Sequence, residues 1–221
     1  MAPRAAYCDV DGTLTATTIV TPLIWYKRRL LSPGAYKLWL ASLVARGPWW
    51  LLLDRFDRAA SNRAIYSNYR GFRGADVRMI KEACFQQCIW PRLFPKAAAY
   101  LEEIRSKEVK IVFVSGGLDF IMQPLADHFS ADCITPKLLE EGGVFTGALD
   151  RAPLTGVQKA DAVKAHAKAH GIDLRESFAL GDALGDLEML ESTGHPVPVN
   201  PDSRLKQVAA QRGWKCEQWT S

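Results

Sequence analysis

Cysteine is scarce and scattered in this chain of 221 residues. The five cysteines are an odd number without regular spacing, which excludes a disulfide framework and favours a reducing compartment. Long apolar runs are also missing, because Lys37, Arg46 and Gly47-Pro48 interrupt the most apolar region before the roughly 20 residues of a membrane-spanning helix accumulate. Met1–Arg4 lead directly into an apolar run without the features of a signal peptide. We therefore expect a cytoplasmic protein.

Acidic residues are absent from one part of the chain, since no Asp or Glu occurs between Asp11 and Asp54. From Ile19 to Trp90 there are 12 Lys/Arg against 4 Asp/Glu, a net charge of +8, whereas the remainder carries −4 and the whole chain +4. Five of the seven tryptophans lie in the same basic segment. This segment favours an anionic partner.

The spacing of apolar residues changes along the chain. It is helical over residues 18–90, whereas from Pro91 onward apolar β-branched runs alternate with helical stretches. Such alternation predicts a parallel sheet with helices on both faces. We predict an α/β fold with a Rossmann-like three-layer core, residues 1–17 and 91–221, and an inserted all-helical cap, residues 18–90. Gly47-Pro48 predicts a helix break within the cap, and residues 214–219 predict a last edge strand.

Polar residues follow three of the predicted strands. Asp9 and Asp11 follow the first, Ser115-Gly116-Gly117 follow the second, and Asp182 follows a later one, with Asp186 in the turn behind it. Lys159 opens the helix before that later strand. Ligands of open α/β sheets bind outside the carboxyl ends of the strands, near the point where the strand order reverses. We therefore expect these residues to share one site.

The chemistry of these residues indicates phosphoryl transfer. Neighbouring buried carboxylates need a cation, a proton or a substrate between them, and a carboxylate set without Cys or His suits a hard cation such as Mg²⁺. The Ser-Gly-Gly turn before a helix N-terminus suits a phosphate. A lysine would offset the phosphate charge. Positioning and charge neutralisation supply most of the catalysis in phosphoryl transfer.

The order of DVDGTLT (9–15), VSGG (114–117), Lys159 and GDALGD (181–186) resembles the four motifs of the haloacid dehalogenase superfamily of phosphatases. The helical insertion after the first motif is similar in position to the cap of the phosphoserine-phosphatase-like branch, subclass IB. The resemblance covers nearly the whole core. It implies a Mg²⁺-dependent phosphomonoester hydrolase that acts through an aspartyl-phosphate on a small phosphate ester.

The resemblance also implies the role of each residue. Asp9 would be the nucleophile, and Asp11 would protonate the leaving oxygen and then deprotonate the attacking water. The Mg²⁺ ligands would be Asp9, the backbone carbonyl of Asp11, and Asp182, with Asp186 binding the ion or supporting its ligands. The phosphate-binding residues would be Gly12, Thr13, Ser115, Gly116 and Lys159, with backbone N–H groups near Gly12 and Gly116 contributing.

Two departures weaken the case for phosphoserine as substrate. Phosphoserine phosphatases usually carry an acidic residue about seven positions after the second Asp, where this chain has Thr18, and Asn where it has Gly185. Phosphoserine phosphatase is therefore kept as an alternative. A phosphotransferase is another, because an aspartyl-phosphate also serves acceptors other than water. The non-enzymatic alternative, a membrane-surface or partner-binding module with a residual active site, is disfavoured by the complete carboxylate set.

The Trp-rich, basic stretch from Ile24 to Phe56 predicts an anionic, partly apolar substrate and a peripheral membrane contact. The simpler interpretation is a cap that packs its own core and solvates its basic residues. We expect no nucleic-acid partner, because no recognised module is present. His166 and His170 lie four apart on one helix, and without a third ligand in sight a solvated face is favoured over a metal site. The oligomeric state is not indicated.

Overall fold

The computed structural model of the chain describes residues 3–219, apart from the side chains of residues 51–55. Its strands are β1 (Ala5–Cys8), β2 (Lys110–Val114), β3 (Asp132–Ile134), β4 (Leu138–Glu141), β5 (Val144–Leu149), β6 (Phe178–Gly181) and β7 (His195–Pro198). Five of them form a parallel sheet in the order β3-β2-β1-β6-β7, and β4 and β5 form a separate antiparallel hairpin.

Residues 18–90, which we call the cap segment, carry five of the α-helices in the described part of the chain. These are α1 (Val20–Leu30), α2 (Pro33–Phe56), α3 (Arg58–Tyr66), α4 (Gly74–Met79) and α5 (Lys81–Cys84). The other helices are α6 (Pro95–Ser106), α7 (Asp119–Phe129), α8 (Val157–His170), α9 (Leu187–Glu191) and α10 (Ser203–Arg212).

Both faces of the sheet are covered, as the short apolar sequence of β1 shows. Ala6 and Cys8 belong to an apolar cluster that includes Leu101 of α6 and Leu125 of α7. Their neighbours Ala5 and Tyr7 belong to a second cluster with residues of α8, α9 and α10. Successive strand residues point to opposite faces, so a strand between two helical layers must be apolar throughout. The predicted α/β fold with a parallel sheet between helical layers is confirmed.

Strand β1 lies at the centre of the sheet, with β2 on one side and β6 on the other. The chain moves outward from β2 to β3 and then returns through α8 to β6, so the strand order reverses next to β1. This reversal opens a crevice beyond the carboxyl ends of β1, β2 and β6. The loops that follow these three strands line it.

The cap segment packs on the core through aromatic side chains. Tyr26 and Tyr69 of the cap segment contact Phe120 of α7, with ring centroids 5.4 and 5.6 Å apart respectively. Phe120 also stacks on Phe145 of β5 at 5.7 Å. One continuous apolar cluster therefore joins cap, core and hairpin. The boundaries of the cap at residues 18 and 90 stay a prediction.

Two sequence-based expectations about elements were wrong. Gly47-Pro48 do not break the helix, because α2 runs from Pro33 to Phe56 with Pro48 inside it. A proline removes one helical hydrogen bond, but Trp39 and Leu43 before it and Trp50 after it pack on the apolar cluster, which favours a continuous helix. Residues 214–219 form no strand and contribute an isolated bridge from Glu217 to Val199.

Over the described part of the chain, none of the helices has the length and apolar character needed to cross a bilayer.

Candidate active site

Asp9 lies directly after β1 and is buried in the crevice. Its backbone N–H donates to the Leu180 carbonyl of β6 at 2.9 Å, which places it between two central strands. Its Oδ1 is 2.5 Å from Lys159 Nζ, and its Oδ2 is 3.0 Å from Thr13 Oγ1, a hydroxyl that also lies 2.9 Å from Asp182 Oδ1. Burial raises the pKa of Asp9, although the nearby Lys159 ammonium opposes that rise. The carboxylate is thus oriented at both oxygens.

Lys159 of α8 is the cation nearest to this carboxylate. Its Nζ is also 2.5 Å from Oδ1 of Asp186, so one buried ammonium bridges two carboxylates. Burial lowers the pKa of Lys159, but Asp186 and Asp9 raise it by more, so the group stays charged. Oδ2 of Asp186 accepts from the backbone N–H groups of Asp182 and Ala183 at 3.2 and 3.1 Å. Asp186 therefore positions both Lys159 and the loop after β6.

Asp182 completes a carboxylate group suited to a metal ion. Oxygens of Asp9, Asp182 and Asp186 all lie within 4.8 Å of one another. Burial and the negative charges of Asp9 and Asp186 raise the pKa of Asp182 to about 8. Such a rise means that this carboxylate lacks a sufficient positive partner in the protein. Crowded, buried oxygen donors without His or Cys fit Mg²⁺.

Asp11 stands apart from that group. Its Oδ1 accepts from Thr17 Oγ1 at 2.5 Å, and Thr17 is itself 2.5 Å from Thr15 Oγ1. Burial raises the pKa of Asp11 to about 6, while the Thr17 hydrogen bond lowers it. A carboxyl group with a pKa near neutrality can both give and take a proton. The role of Asp11 as general acid and base stays a prediction.

Gly12 occupies a position that other residues cannot. Its φ is +90°, and a Cβ at this position would lie 2.4 Å from Oδ2 of Asp182. Its backbone N–H donates to the Thr15 carbonyl at 2.8 Å, and the phosphate-binding role of Gly12 and of the N–H groups near it stays a prediction. The lack of a side chain at Gly12 therefore allows Asp182 to lie close to the first motif.

Ser115 lies at the end of β2, buried at the base of the crevice. Its Oγ accepts from the N–H of Gly117 at 2.9 Å, which closes the Ser-Gly-Gly turn. Tyr66 of α3 donates a short hydrogen bond to the Gly116 carbonyl, so a residue of the cap segment helps to position this turn. Gly116 lines the same cavity as Asp9, Asp11 and Lys159. The predicted phosphate-binding turn therefore lies at the site.

Three site residues were missed by the sequence analysis. Thr17 holds Asp11, Tyr66 holds the Ser-Gly-Gly turn, and Arg58 of α3 lines the cavity close enough to lower the pKa of both Asp9 and Asp11. The arginine-rich composition of the stretch containing Arg58 was a weak signal. No local pattern marks Thr17 or Tyr66, because their partners come from the fold.

The cavity between core and cap segment has a volume of about 450 Å³. The motif carboxylates, Lys159 and Arg58 lie in it. It also has an apolar wall formed by Ile19, Val20, Leu43, Trp50, Ile65 and Leu154. A cavity of this size accommodates a small molecule.

A second cluster, which contains histidines, lies at the far end of α8. Contrary to the expectation that no third ligand would be found, Asp132 lies close to both His166 and His170. Two of these three groups already have other partners, however. His166 Nε2 is 2.9 Å from Asp132 Oδ2, its Nδ1 is 3.1 Å from the Tyr7 hydroxyl, and Lys110 Nζ is 2.7 Å from the same Asp132 oxygen. Asp132 and His166 therefore belong to a hydrogen-bonded network with Tyr7 and Lys110.

These features define a class of protein: an α/β enzyme with a carboxylate and lysine centre suited to phosphoryl transfer. Comparison with known families makes the assignment specific, since the model of haloacid dehalogenase-like hydrolases matches residues 6–191. The chain belongs to this family. The predicted family, its phosphoserine-phosphatase-like branch and the prediction of a phosphatase are confirmed.

Individual relatives agree with this assignment. The chain is 41% identical over 225 residues to a phosphoserine phosphatase of Mycobacterium tuberculosis, covering 96% of this chain and 69% of that protein. Among solved structures, a protein of unknown function from Bordetella pertussis Tohama I superposes with a TM-score of 0.84 at 19% identity over all of both chains. The apo form of a phosphoserine phosphatase superposes with a TM-score of 0.69 at 17% identity, covering 99% and 94% of the two chains. These two structural similarities show the fold.

Proposed function

We propose that the chain is a Mg²⁺-dependent phosphomonoester hydrolase that acts through an aspartyl-phosphate on Asp9. The single observation that carries this proposal is the double engagement of the Asp9 carboxylate. Lys159 holds one oxygen at 2.5 Å and Thr13 holds the other at 3.0 Å, so the group is fixed at the mouth of the crevice. A fixed, desolvated carboxylate is a suitable nucleophile for phosphorus.

The first half of the reaction forms the bond between an Asp9 oxygen and phosphorus and breaks the bond from phosphorus to the ester oxygen. Asp11 gives its proton to that leaving oxygen, so the alcohol departs neutral. In the second half, Asp11 takes a proton from water as the water oxygen attacks phosphorus. The Asp9–phosphate bond then breaks, and inorganic phosphate is released. A pKa of about 6 suits Asp11 to both steps.

Asp9, Asp182 and the backbone carbonyl of Asp11 are the groups that we propose to hold Mg²⁺. When bound, the ion would neutralise charge on the carboxylates and on the phosphoryl oxygens. Ser115 and Lys159 would bind phosphoryl oxygens, and Arg58 of the cap segment would add positive charge from the opposite side. Asp186 would support Lys159 and the loop after β6, since both of its oxygens are engaged.

The cavity favours an anionic, partly apolar ester as the substrate. Among its lining residues whose side chains are described, the acidic ones are the four motif aspartates. Thr18 lines the cavity where phosphoserine phosphatases usually carry an acidic residue for the substrate amine. An ammonium group would therefore meet no carboxylate beyond those used in catalysis, whereas a hydrocarbon group would meet the apolar wall.

Replacement of the nucleophile tests the mechanism. Asp9→Asn keeps the size of the side chain but cannot form the phosphoenzyme, so kcat for p-nitrophenyl phosphate should fall by at least about a thousandfold. Asp161→Asn on α8 is the matched control, because Asp161 lies outside the cavity and should retain activity. An Asp9→Asn enzyme with unchanged activity contradicts the aspartyl-phosphate.

Phosphoserine hydrolysis is the second candidate function, favoured by the name of the 41% identical relative. Steady-state kinetics on phosphoserine and on butyl phosphate separate the two. We expect the larger kcat/KM for butyl phosphate, because its chain can contact Leu43 and Ile65. A larger value for phosphoserine would show that this candidate is correct.

A further inference from the structure

Helix α2 has an inner and an outer apolar face. Leu43 and Trp50 on the inner face line the cavity. On the outside, Leu38, Trp49 and Phe56 are 76%, 59% and 80% exposed. They are separated by eleven and seven residues, which is about three and two turns of helix, so they point to the same side.

Exposed apolar residues are concentrated on this helix. Of the nine large hydrophobic side chains that are exposed in the described part of the molecule, five belong to α2, namely Leu38, Leu40, Val44, Trp49 and Phe56. Isolated exposed apolar residues are ordinary, but a row of them along one side of a helix marks a surface that contacts something apolar. We call the row formed by Leu38, Trp49 and Phe56 the outer face of α2, since Leu40 and Val44 lie about 160° and about 120° away from it around the helix.

The charges around the outer face identify its partner. Helices α1 and α2 carry six Lys/Arg against one acidic residue, Asp54, and Arg28, Arg29, Lys37 and Arg46 among the six are exposed. A symmetric contact with a second copy would bring like charges together. An anionic lipid surface would instead attract them while its hydrocarbon boundary receives the tryptophan and leucine side chains.

We propose that the outer face of α2 binds an anionic lipid bilayer, and that the inner face binds the hydrocarbon part of a lipid phosphate monoester taken from it. The proposal rests on the proposed phosphomonoesterase function. One helix separates the two faces, and its diameter of about 10 Å is small compared with a lipid. The enzyme can therefore stay on the bilayer while the phosphate of the lipid reaches Asp9.

Co-sedimentation with vesicles tests the outer face. The full chain should bind phosphatidylcholine vesicles that contain phosphatidylglycerol, with affinity that falls as salt rises, and should bind pure phosphatidylcholine weakly. Leu38→Glu should reduce binding at least tenfold. Leu139→Glu, a change of the same type at an exposed leucine of β4, should bind like the unaltered chain. Thermal unfolding of both variants verifies that they are folded.

Three results would overturn the proposal. The first is equal binding by Leu38→Glu and Leu139→Glu, and the second is no binding by the unaltered chain. The third is a dimer in solution that Leu38→Glu dissociates while no vesicles are bound, which would assign the outer face of α2 to self-association.

A series of linear alkyl phosphates in solution, below their micelle concentrations, tests the inner face. Each added methylene should raise kcat/KM about fourfold, which corresponds to about 0.8 kcal/mol per buried methylene, until the cavity is filled. Leu43→Gln should flatten this dependence. If p-nitrophenyl phosphate is hydrolysed but all alkyl phosphates react alike, the inference fails. If no ester is hydrolysed, the proposed function fails as well.

Discussion

The Nζ of Lys159 lies 2.5 Å from Oδ1 of Asp9, and both side chains are buried. These residues are 150 positions apart in the chain and meet because α8 begins where β1 ends in space. The same ammonium contacts Asp186, so Lys159 connects the first motif with the last. The contact combines the proposed nucleophile and its counter-ion in one buried pair.

Removal of this cation should destabilise the protein strongly. Lys159→Met leaves Asp9 and Asp186 buried without their shared partner, and we expect the free energy of unfolding without metal to fall by about 3–5 kcal/mol. Lys107→Met is the matched control, because Lys107 pairs with Glu103 at the same 2.5 Å but is 59% exposed, whereas Lys159 is 6% exposed. The control should lose less than about 1 kcal/mol. Urea denaturation measures both, and equal losses would contradict the role of burial.

The hydrogen bond from Thr17 should be needed to position Asp11. Thr17→Val preserves shape but removes the donor 2.5 Å from Asp11 Oδ1, and we expect kcat to fall about tenfold to a hundredfold with little change in KM. The pKa seen in the pH profile of kcat/KM should rise, because the bond to the ionised form is lost. Thr17→Ser retains the hydroxyl and should restore both values. Equal kinetics for the Val and Ser variants would exclude this role.

The absence of a side chain at Gly12 should be essential for activity, because Asp182 occupies the space that a Cβ would fill. Gly12→Ala places a methyl group 2.4 Å from an Asp182 oxygen, so we expect loss of Mg²⁺-dependent activity by at least about a hundredfold. Gly71→Ala is the control for backbone strain without a steric collision. Gly71 also has a positive φ, +87°, but nothing lies within 4 Å of its added Cβ. It should lose about 1 kcal/mol of stability and keep its activity. Similar kinetics for the two variants would show that strain, not the collision with Asp182, matters.

The stability of the metal-free protein should depend on pH through Asp182. The folded pKa of about 8 lies above the ordinary 3.8, so protonation stabilises the folded state most below pH 4, and that stabilisation is lost as pH rises through 8. In EDTA, the melting temperature should therefore decrease between about pH 6 and about pH 8.5. Mg²⁺ should raise it most at the higher pH. Asp182→Asn should weaken both trends, and an unchanged profile would refute the assignment.

The motif residues could be predicted from the sequence because their signals are local. A short apolar run followed by Asp9, and later by Ser115 and Asp182, marks the end of a buried strand. The parallel order of the strands then requires these ends to meet at one edge. Lys159 and Asp186 could be added because each lies within a few residues of such an end or of the helix before it.

Other site residues could not be predicted in this way. Thr17 and Tyr66 belong to ordinary stretches, and their functional partners, Asp11 and the Gly116 carbonyl, are set by how the cap segment folds back on the core. The continuity of α2 through Pro48 has the same origin, because Leu43 and Trp50, on either side of the proline, pack on the apolar cluster. The helix propensity of a single residue contributes less to stability than the burial of an apolar side chain in tertiary packing.

The sequence by itself therefore determined the α/β class, the positions of the catalytic motifs and the basic, acid-free character of residues 12–53. The tertiary structure decided which groups touch: Lys159 between Asp9 and Asp186, Arg58 over the cavity, and the two faces of α2. The physical reason is that strand and turn signals act over a few residues, whereas electrostatic pairing and cavity shape depend on contacts between residues far apart in the chain.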